Sequence, residues 1–379
     1  MTALRKEFIP VLGLTLLVVA GFFLRTNRLD YSDPDFTELW DHYYYIEMAT
    51  GHPAGERFAP FEYRILNPLL ASVLPFEISV NFTILNLAAL TFSGVIFYYM
   101  LKAADFSKPQ SVIGLLFYFS LGWAVRFNIY DFWITDPLSY AFTAAALWSI
   151  LTKKDLAFAL LLAAGVLAKE SVLFVAPLYY TLNTKKLVDG KVLLRFITLT
   201  APAVLMILIL RSSIPTTNPQ YNLPYLWETI GSKRIIQLLK DPGDYIPLYT
   251  IGSFGVSFFI LPFFAMKKNL TAFLKFSPFI ALTYLSLLLA YNTERLLVAL
   301  FPVMTILALY GIQNITDKTG VDEKVFLSLP LALIVLLLAR KDWFLVPSLY
   351  DAILFLIVLA VSLQAERLQR KPGGIGIPE

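Results

Sequence analysis

The 379-residue chain contains no cysteine. That excludes disulfides, Cys-ligated zinc, iron–sulfur clusters and thiol catalysis, while leaving the compartment open. Histidine is almost as scarce. The two, His42 and His52, lie ten positions apart with Gly51 ending a short helix between them, a poor spacing for a metal. Charged residues are only 15% of the chain and the net charge is +4; no basic face stands apart from the loop ends, so nucleic-acid binding has no support. What the chain holds instead is apolar residues, 58% of the total, in runs that recur from one end to the other. No single soluble core of this size needs so many. The pattern is that of a multi-pass membrane protein.

Arg5-Lys6 precede an apolar stretch from about Phe8 to Leu24, and Arg25-Thr26-Asn27-Arg28 follow it with no small-residue cleavage site, so an uncleaved first helix is expected. Further runs span about Ile78–Leu101, Ser111–Val125, Pro137–Leu151, Val192–Leu210, Ile246–Met266, Phe276–Tyr291, Leu296–Tyr310, Val325–Leu338 and Val346–Leu363. With a cytoplasmic amino terminus, Lys102, Lys108, Lys153-Lys154, Lys185-Lys186 and Lys267-Lys268 all fall inside. The segment Asp155 to Leu182 is too long for one crossing and has lysines on both flanks. It therefore reads as two short helices meeting at Lys169-Glu170 near the outer face. Each is shorter than the roughly 20 residues a bilayer needs, which fits helices opening into a polar cavity. The expected architecture is an all-α polytopic transmembrane bundle of about 12 crossings, one domain over 1–379, with both termini cytoplasmic in a cell membrane. A structured first extracytoplasmic loop with amphipathic helices covers 25–77, and a central one covers 211–247, where Tyr225 to Lys240 has helical apolar spacing.

Within the first polar loop, Tyr31 to Leu70 holds seven carboxylates, Asp33, Asp35, Glu38, Asp41, Glu47, Glu56 and Glu62. Asp41 opens a short helical pattern that places Tyr45 one turn on and Ala49 a turn after, on one face. Tyr63-Arg64 leads into an apolar run. On the same expected outer side lie Lys169-Glu170, Arg211, Glu294-Arg295 and Arg340-Lys341. Cations there run against the usual bias and call for a phosphorylated or polyanionic ligand. Transfer from a sugar phosphate to an alcohol needs a carboxylate near the acceptor hydroxyl and cations on the departing phosphate. Asp41 suits the first role; Arg64, Lys169 and Arg295 suit the second.

The stretches Trp40-Asp41-His42-Tyr43-Tyr44-Tyr45-Ile46-Glu47-Met48-Ala49 and Glu62-Tyr63-Arg64-Ile65-Leu66-Asn67-Pro68-Leu69-Leu70, with Leu167-Ala168-Lys169-Glu170-Ser171 and Thr293-Glu294-Arg295-Leu296, resemble the GT-C superfamily of membrane glycosyltransferases. The resemblance implies a polyprenyl-phosphate sugar as donor, used on the outer face with inversion, and a glycolipid, glycan or protein as acceptor. It places the base on Asp41. Asp33, Asp35, Tyr45, Glu170 and Glu294 are supporting candidates. His42 follows Asp41 where relatives commonly have a second acid, so the subfamily stays open. No cofactor is expected, and a divalent metal is not indicated.

Simpler readings stand beside these. Asp33-Pro34-Asp35 reads as a helix start or as a metal-binding or catalytic acid pair, and Thr135-Asp136-Pro137 reads most simply as an N-cap. Tyr43, Tyr44 and Tyr45 read as an interfacial aromatic belt; Lys169 reads as a snorkelling side chain, Arg64 as a rim anchor, and Glu294-Arg295 as a helix cap at the interface. Asn81, Asn269 and Asn314 match the glycosylation pattern but fall in the membrane or inside. Competing functions are a lipid-linked polysaccharide polymerase or ligase, and a transporter or flippase. Transport predicts related halves with broken helices, and no repeat of the Lys169 segment is evident.

Overall fold

The computed structural model describes residues 2–29, 41–51, 59–186, 188–214, 223–289, 293–341 and 345–370. Among them every regular element is helical. Helix α1 (Thr2–Arg25) leads to the polar loop, where α2 (Asp41–Thr50) and α3 (Leu66–Val73) flank a 3-10 turn at Phe61–Tyr63. Then come α4 (Ile78–Ala103), α5 (Lys108–Ser120), the short α6 (Arg126–Tyr130), α7 (Asp136–Leu151) and α8 (Asp155–Ala168). A 3-10 turn, Glu170–Val175, joins α8 to α9 (Pro177–Asn183), and α10 (Gly190–Ser213) follows. The second half contains α11 (Leu223–Leu226), α12 (Ser232–Lys240), α13 (Pro242–Phe254), α14 (Val256–Ile260) and α15 (Met266–Ser286). It closes with α16 (Thr293–Leu297), α17 (Phe301–Thr319), α18 (Ser328–Ala339) and α19 (Ser348–Arg370).

Among the described residues, five segments are long and apolar enough to cross a membrane: Lys6–Arg25, Ile78–Ala103, Gly190–Ser213, Val256–Leu289 and Glu294–Thr319. Asp155–Ala168 and Ser348–Gln364 are shorter apolar helices. Of these, α1 and α10 present Leu16, Leu17, Leu194, Leu205 and Leu208 outward, a surface that water does not favour and lipid does.

Local chemistry explains the helix ends. Ser107 and Gln110 form a reciprocal capping box at the start of α5, and the Asp189 side chain accepts from the Lys191 and Val192 amides at the start of α10. Lys153, at φ +58°, turns α7 tightly into α8. These two helices have 16 and 14 residues, so a tight turn returns the end of α8 to the level where α7 began. As the flanking lysines predicted, the chain then breaks at Lys169, whose backbone is extended.

Several expected boundaries differ. The run Ile246–Met266 is broken, because Gly255 (φ +87°) separates α13 from α14 and a 3-10 turn follows at Leu261–Ala265. Asp351 of α19 accepts from the Ser257 amide at 3.0 Å and from its hydroxyl, and so caps the new helix start from outside. Helix α15 begins at Met266 rather than near Phe276 and carries Lys267, Lys268 and Lys275 on a helix rather than in a loop. The tyrosines of α2 are not an interfacial belt: Tyr44 and Tyr45 are buried, with Tyr44 stacked on Phe61 at 5.2 Å. Asn81 and Asn269 are buried and donate to backbone carbonyls of Ala71 and Pro262, so neither is an exposed acceptor side chain. The amphipathic stretch forms α11, a π turn and α12, with Ile230 buried and Ile236 and Leu239 exposed.

The core is aromatic, with Phe301 of α17 ringed by Phe97, Tyr118 and Tyr140 at 4.9, 4.7 and 5.9 Å. Nearby, α17 approaches the Leu261–Ala265 turn so closely that a Cβ at Gly311 would lie 2.0 Å from the Leu261 carbonyl oxygen. Gly311→Ala is therefore expected to lower the melting temperature in detergent, at a cost of about 1–3 kcal/mol or more for overpacking against backbone. Gly13→Ala, in a helix with nothing within 4 Å of the new Cβ, is the control expected to melt at or above wild type. Equal melting of the two would show that this approach does not constrain the bundle.

Candidate active site

The bundle has two polar ends. At one, Ser107 and Gln110 donate to Glu323 at 2.8 and 2.6 Å, and Lys268 donates to Gln313 at 2.9 Å. At the other, Arg25 donates to the Leu338 carbonyl at 3.1 Å, Arg126 to that of Leu337, and the Leu29 amide to Tyr130 at 2.8 Å. The second end also gathers α2, the loop before α7, the break after α8 and the start of α16, and with them most of the charge expected to be functional.

Asp136 stands at its centre. It is the first residue of α7, and no side-chain cap bond forms there. The N-cap reading is thus corrected: its fully buried carboxylate takes the Lys169 ammonium at 2.6 Å and faces Arg295 Nη2 at 3.2 Å. The matched lengths of α7 and α8 explain the first contact, since residues 33 apart in sequence meet at the same level. Lys169 is 3% exposed, so it is no snorkelling side chain. A buried ammonium needs such a partner.

Arg295, in the first turn of α16, continues the chain to Asp41, with which it forms a hydrogen-bonded ion pair. Burial alone would raise the Asp41 pKa, but the Arg295 guanidinium, with Arg64 further away, holds it below the ordinary 3.8. The stability this pair contributes is therefore present above pH 3.8 and is lost only as pH falls through the lowered native value.

Arg64 sits alongside. It donates to Glu170 through Nε at 3.0 Å and Nη2 at 2.6 Å, and to the Tyr45 hydroxyl through Nη1 at 3.1 Å. Asp41 and Tyr45 therefore do share the face of α2 that the i, i+4 spacing predicts. The tyrosine's burial pushes its pKa up to about 12, which keeps it neutral while it accepts from Arg64. Phe61 lies 5.4 Å from the Arg64 guanidinium. Arg64 is thus inside the site rather than a rim anchor, and Arg295 does more than cap a helix at the interface.

Glu294, a supporting candidate, lies toward Gly252 of α13. Asp33, Asp35 and His52 lie outside the described residues. Among the described residues, no group of three or more His, Asp or Glu side chains could hold a metal.

Asp131 was not singled out in the sequence, though it stands in the polar loop from Arg126 to Asp136. It is buried, with Oδ2 3.5 Å from His42 Nδ1. Its Oδ1 accepts no hydrogen bond among the described residues. Burial raises its pKa above 3.8, more than His42 and Arg295 lower it. An acid with a raised native value is least comfortable ionised, so the stability tied to this group grows as pH falls toward 3.8. Asp131→Asn is expected to melt at or above wild type at pH 7, with that advantage shrinking in acid. A variant that melts lower at pH 7 would show that the contact with His42 outweighs the burial.

The opposite side of α2 borders a cavity of about 1130 Å³, lined among others by Arg28, Ile46, Glu47, Glu77, Thr83 and Trp133. One short helix therefore separates a charged, buried cluster from a roomy cleft of mixed polarity. No family model matches the sequence, and no curated protein matches it either.

Proposed function

We propose that the protein is a membrane glycosyltransferase of the GT-C type, moving a sugar from a polyprenyl-phosphate donor to an acceptor hydroxyl with inversion at the sugar carbon. The observation that carries this reading is the linked cluster in which Asp41 is joined through Arg295 and Asp136 to Lys169, with Arg64 beside it. A base and three cations within one buried site match the two needs of the reaction. The polytopic layout of about 12 crossings, with this end extracytoplasmic and both termini cytoplasmic in a bacterial- or archaeal-type cell membrane, belongs to the same proposal.

In the reaction the acceptor O–H gives its proton to Asp41, the acceptor oxygen bonds to the anomeric carbon, and the bond from that carbon to phosphate oxygen breaks. The phosphate leaves with the electron pair, held by Arg64, Lys169 and Arg295. Arg295 has a double use here. While it is paired with Asp41 the carboxylate is a weak base; a donor phosphate that draws the guanidinium away lets the Asp41 pKa rise when the acceptor is present. The acceptor is a glycolipid, glycan or protein whose hydroxyl reaches the Asp41 face of α2. No cofactor is required.

The test is transfer from a panel of radiolabelled polyprenyl-phosphate sugars by membranes containing the protein, with lipid extracts as acceptors. Labelled product above that of membranes lacking the protein supports the reading. Crosslinking of the donor without any transfer product would point instead to transport.

A further inference from the structure

The cavity behind α2, about 1130 Å³ in volume, stands where two apolar segments end. One of the runs long enough to cross a membrane finishes at Arg25 and another begins at Ile78. Thr26, Asn27, Arg28, Glu77 and Ser79 line the cavity beside those ends. Further into the same two helices its wall turns apolar, with Phe23 on α1 and Val80 and Ile84 on α4. Val80 and Ile84, one turn apart, are 42% and 40% exposed, so the cavity continues onto the outer face of α4. Polar at the rim and apolar toward the bilayer centre, it suits an amphiphile standing in the membrane.

The charges in this cavity have no partners of their own kind of strength. Arg28, Glu47 and Glu77 all line it, yet among the described residues no ion pair joins any of the three. Glu77 accepts only from the neutral Ser79 hydroxyl, at 2.8 Å. The Arg28 guanidinium lies 4.5 Å from the Phe23 ring, which sets it against the α1 wall. The half-buried Glu47 carboxylate has neither a hydrogen bond nor an ion pair among the described residues. Thr26 is 7% exposed, and its hydroxyl has no hydrogen-bond partner there either. Polar groups withdrawn from water without partners cost free energy that a bound ligand offsets.

Opposite charges on separate walls of one space are complementary to a zwitterion. Two carboxylates against one guanidinium work against a head that is only negative. The Phe23 ring already carries Arg28, and the remaining cation partners are oxygen acceptors, which suit an N–H ammonium better than a methylated one. We propose that this cavity binds a zwitterionic phospholipid with a primary ammonium, of the phosphatidylethanolamine class. Arg28 takes the phosphate, Glu47 takes the ammonium with Glu77 and Thr26 as further acceptors, and the chains leave past Val80 and Ile84. The cavity meets Ile46, Glu47 and Thr50 of α2, the side away from Asp41 and Tyr45. The lipid is therefore not a reactant, and its site stands whether or not the chain transfers sugar.

The test titrates the full-length protein in detergent with short-chain phosphatidylethanolamine, phosphatidylcholine and phosphatidylglycerol, counting bound lipid by native mass spectrometry. Wild type is expected to bind phosphatidylethanolamine about tenfold more tightly than either other lipid, the scale of one charge-assisted hydrogen bond. Glu47→Gln should lose that preference while still binding all three, because only the ammonium is affected. Arg28→Gln should weaken all three alike by about tenfold, since the phosphate is common to them. Ile84→Trp fills the cavity without touching a charge and should block all three. Melting of each variant without lipid separates lost binding from lost folding, and Glu77→Gln carries the ammonium test, with a smaller loss, if Glu47→Gln does not fold. Equal binding of the three lipids by wild type would mean surrounding lipid only, and tighter phosphatidylglycerol would mean an anion site. A phosphatidylethanolamine preference that survives both Glu47→Gln and Ile84→Trp would place the lipid elsewhere. Each of these three results overturns the proposal.

Discussion

Asp41→Asn is expected to reduce sugar transfer by about 10²- to 10⁴-fold, the usual contribution of a positioned general base, while leaving the protein folded and inserted. Asparagine keeps the shape and can still accept a hydrogen bond from Arg295, but it cannot take the acceptor proton. It also removes one of two carboxylates on Arg295, so the remaining positive charge is better matched to the donor phosphate. Donor binding should therefore hold or tighten while turnover collapses, a separation that a merely structural role for Asp41 would not give. Transfer by membranes at saturating donor, with farnesyl phosphate binding in parallel, measures both. Full transfer by a folded Asp41→Asn protein would move the base to another acid, with Asp131, Asp33 and Asp35 the next to test.

Arg295→Gln should have the largest effect on stability. Its guanidinium contacts Asp41 and Asp136 together, and the Asp136 side chain is 1% exposed. Removing one member of a buried ionic set leaves an uncompensated charge and costs about 3–5 kcal/mol, which should appear as a clearly lowered melting temperature in detergent. Lys169 remains on Asp136 at 2.6 Å, so the loss should fall at the lower end of that range. Arg295→Lys keeps the charge without the fork that reaches two acids and should lie between. The double variant Arg295→Gln/Asp41→Asn should regain part of the loss, because the acid left without its cation has gone while Asp136 keeps Lys169. Wild-type melting of Arg295→Gln would mean that the cluster is held by packing alone.

The four residues that the resemblance and the outer-face charges singled out, Asp41, Arg64, Lys169 and Arg295, meet at one end of the fold. Arg64, Lys169 and Arg295 were legible because each is a charge beside or inside an apolar run, where solvation alone gives no reason for it; Asp41 was legible through the resemblance. Their partners were not. Asp136 stands before Pro137 in a pattern that N-capping fully accounts for, and Asp131 is one more acid in a polar loop; only the return of α8 beside α7 and the seating of His42 on that loop give them roles.

The sequence by itself determined the class: an all-helical chain with several runs apolar enough to span a membrane, a first polar loop with a short helix starting at Asp41, and a break at Lys169. Those follow from composition, local spacing and flanking charge, which act within a turn or two of helix. Tertiary structure alone decided the break at Gly255, the start of α15 ahead of its lysines, the burial of Tyr44 and Tyr45, and which acid answers which cation. Each of those depends on what lies across a contact from a distant part of the chain. Pairing energies of buried charges are set by separations of a few ångströms, and no one-dimensional pattern records them.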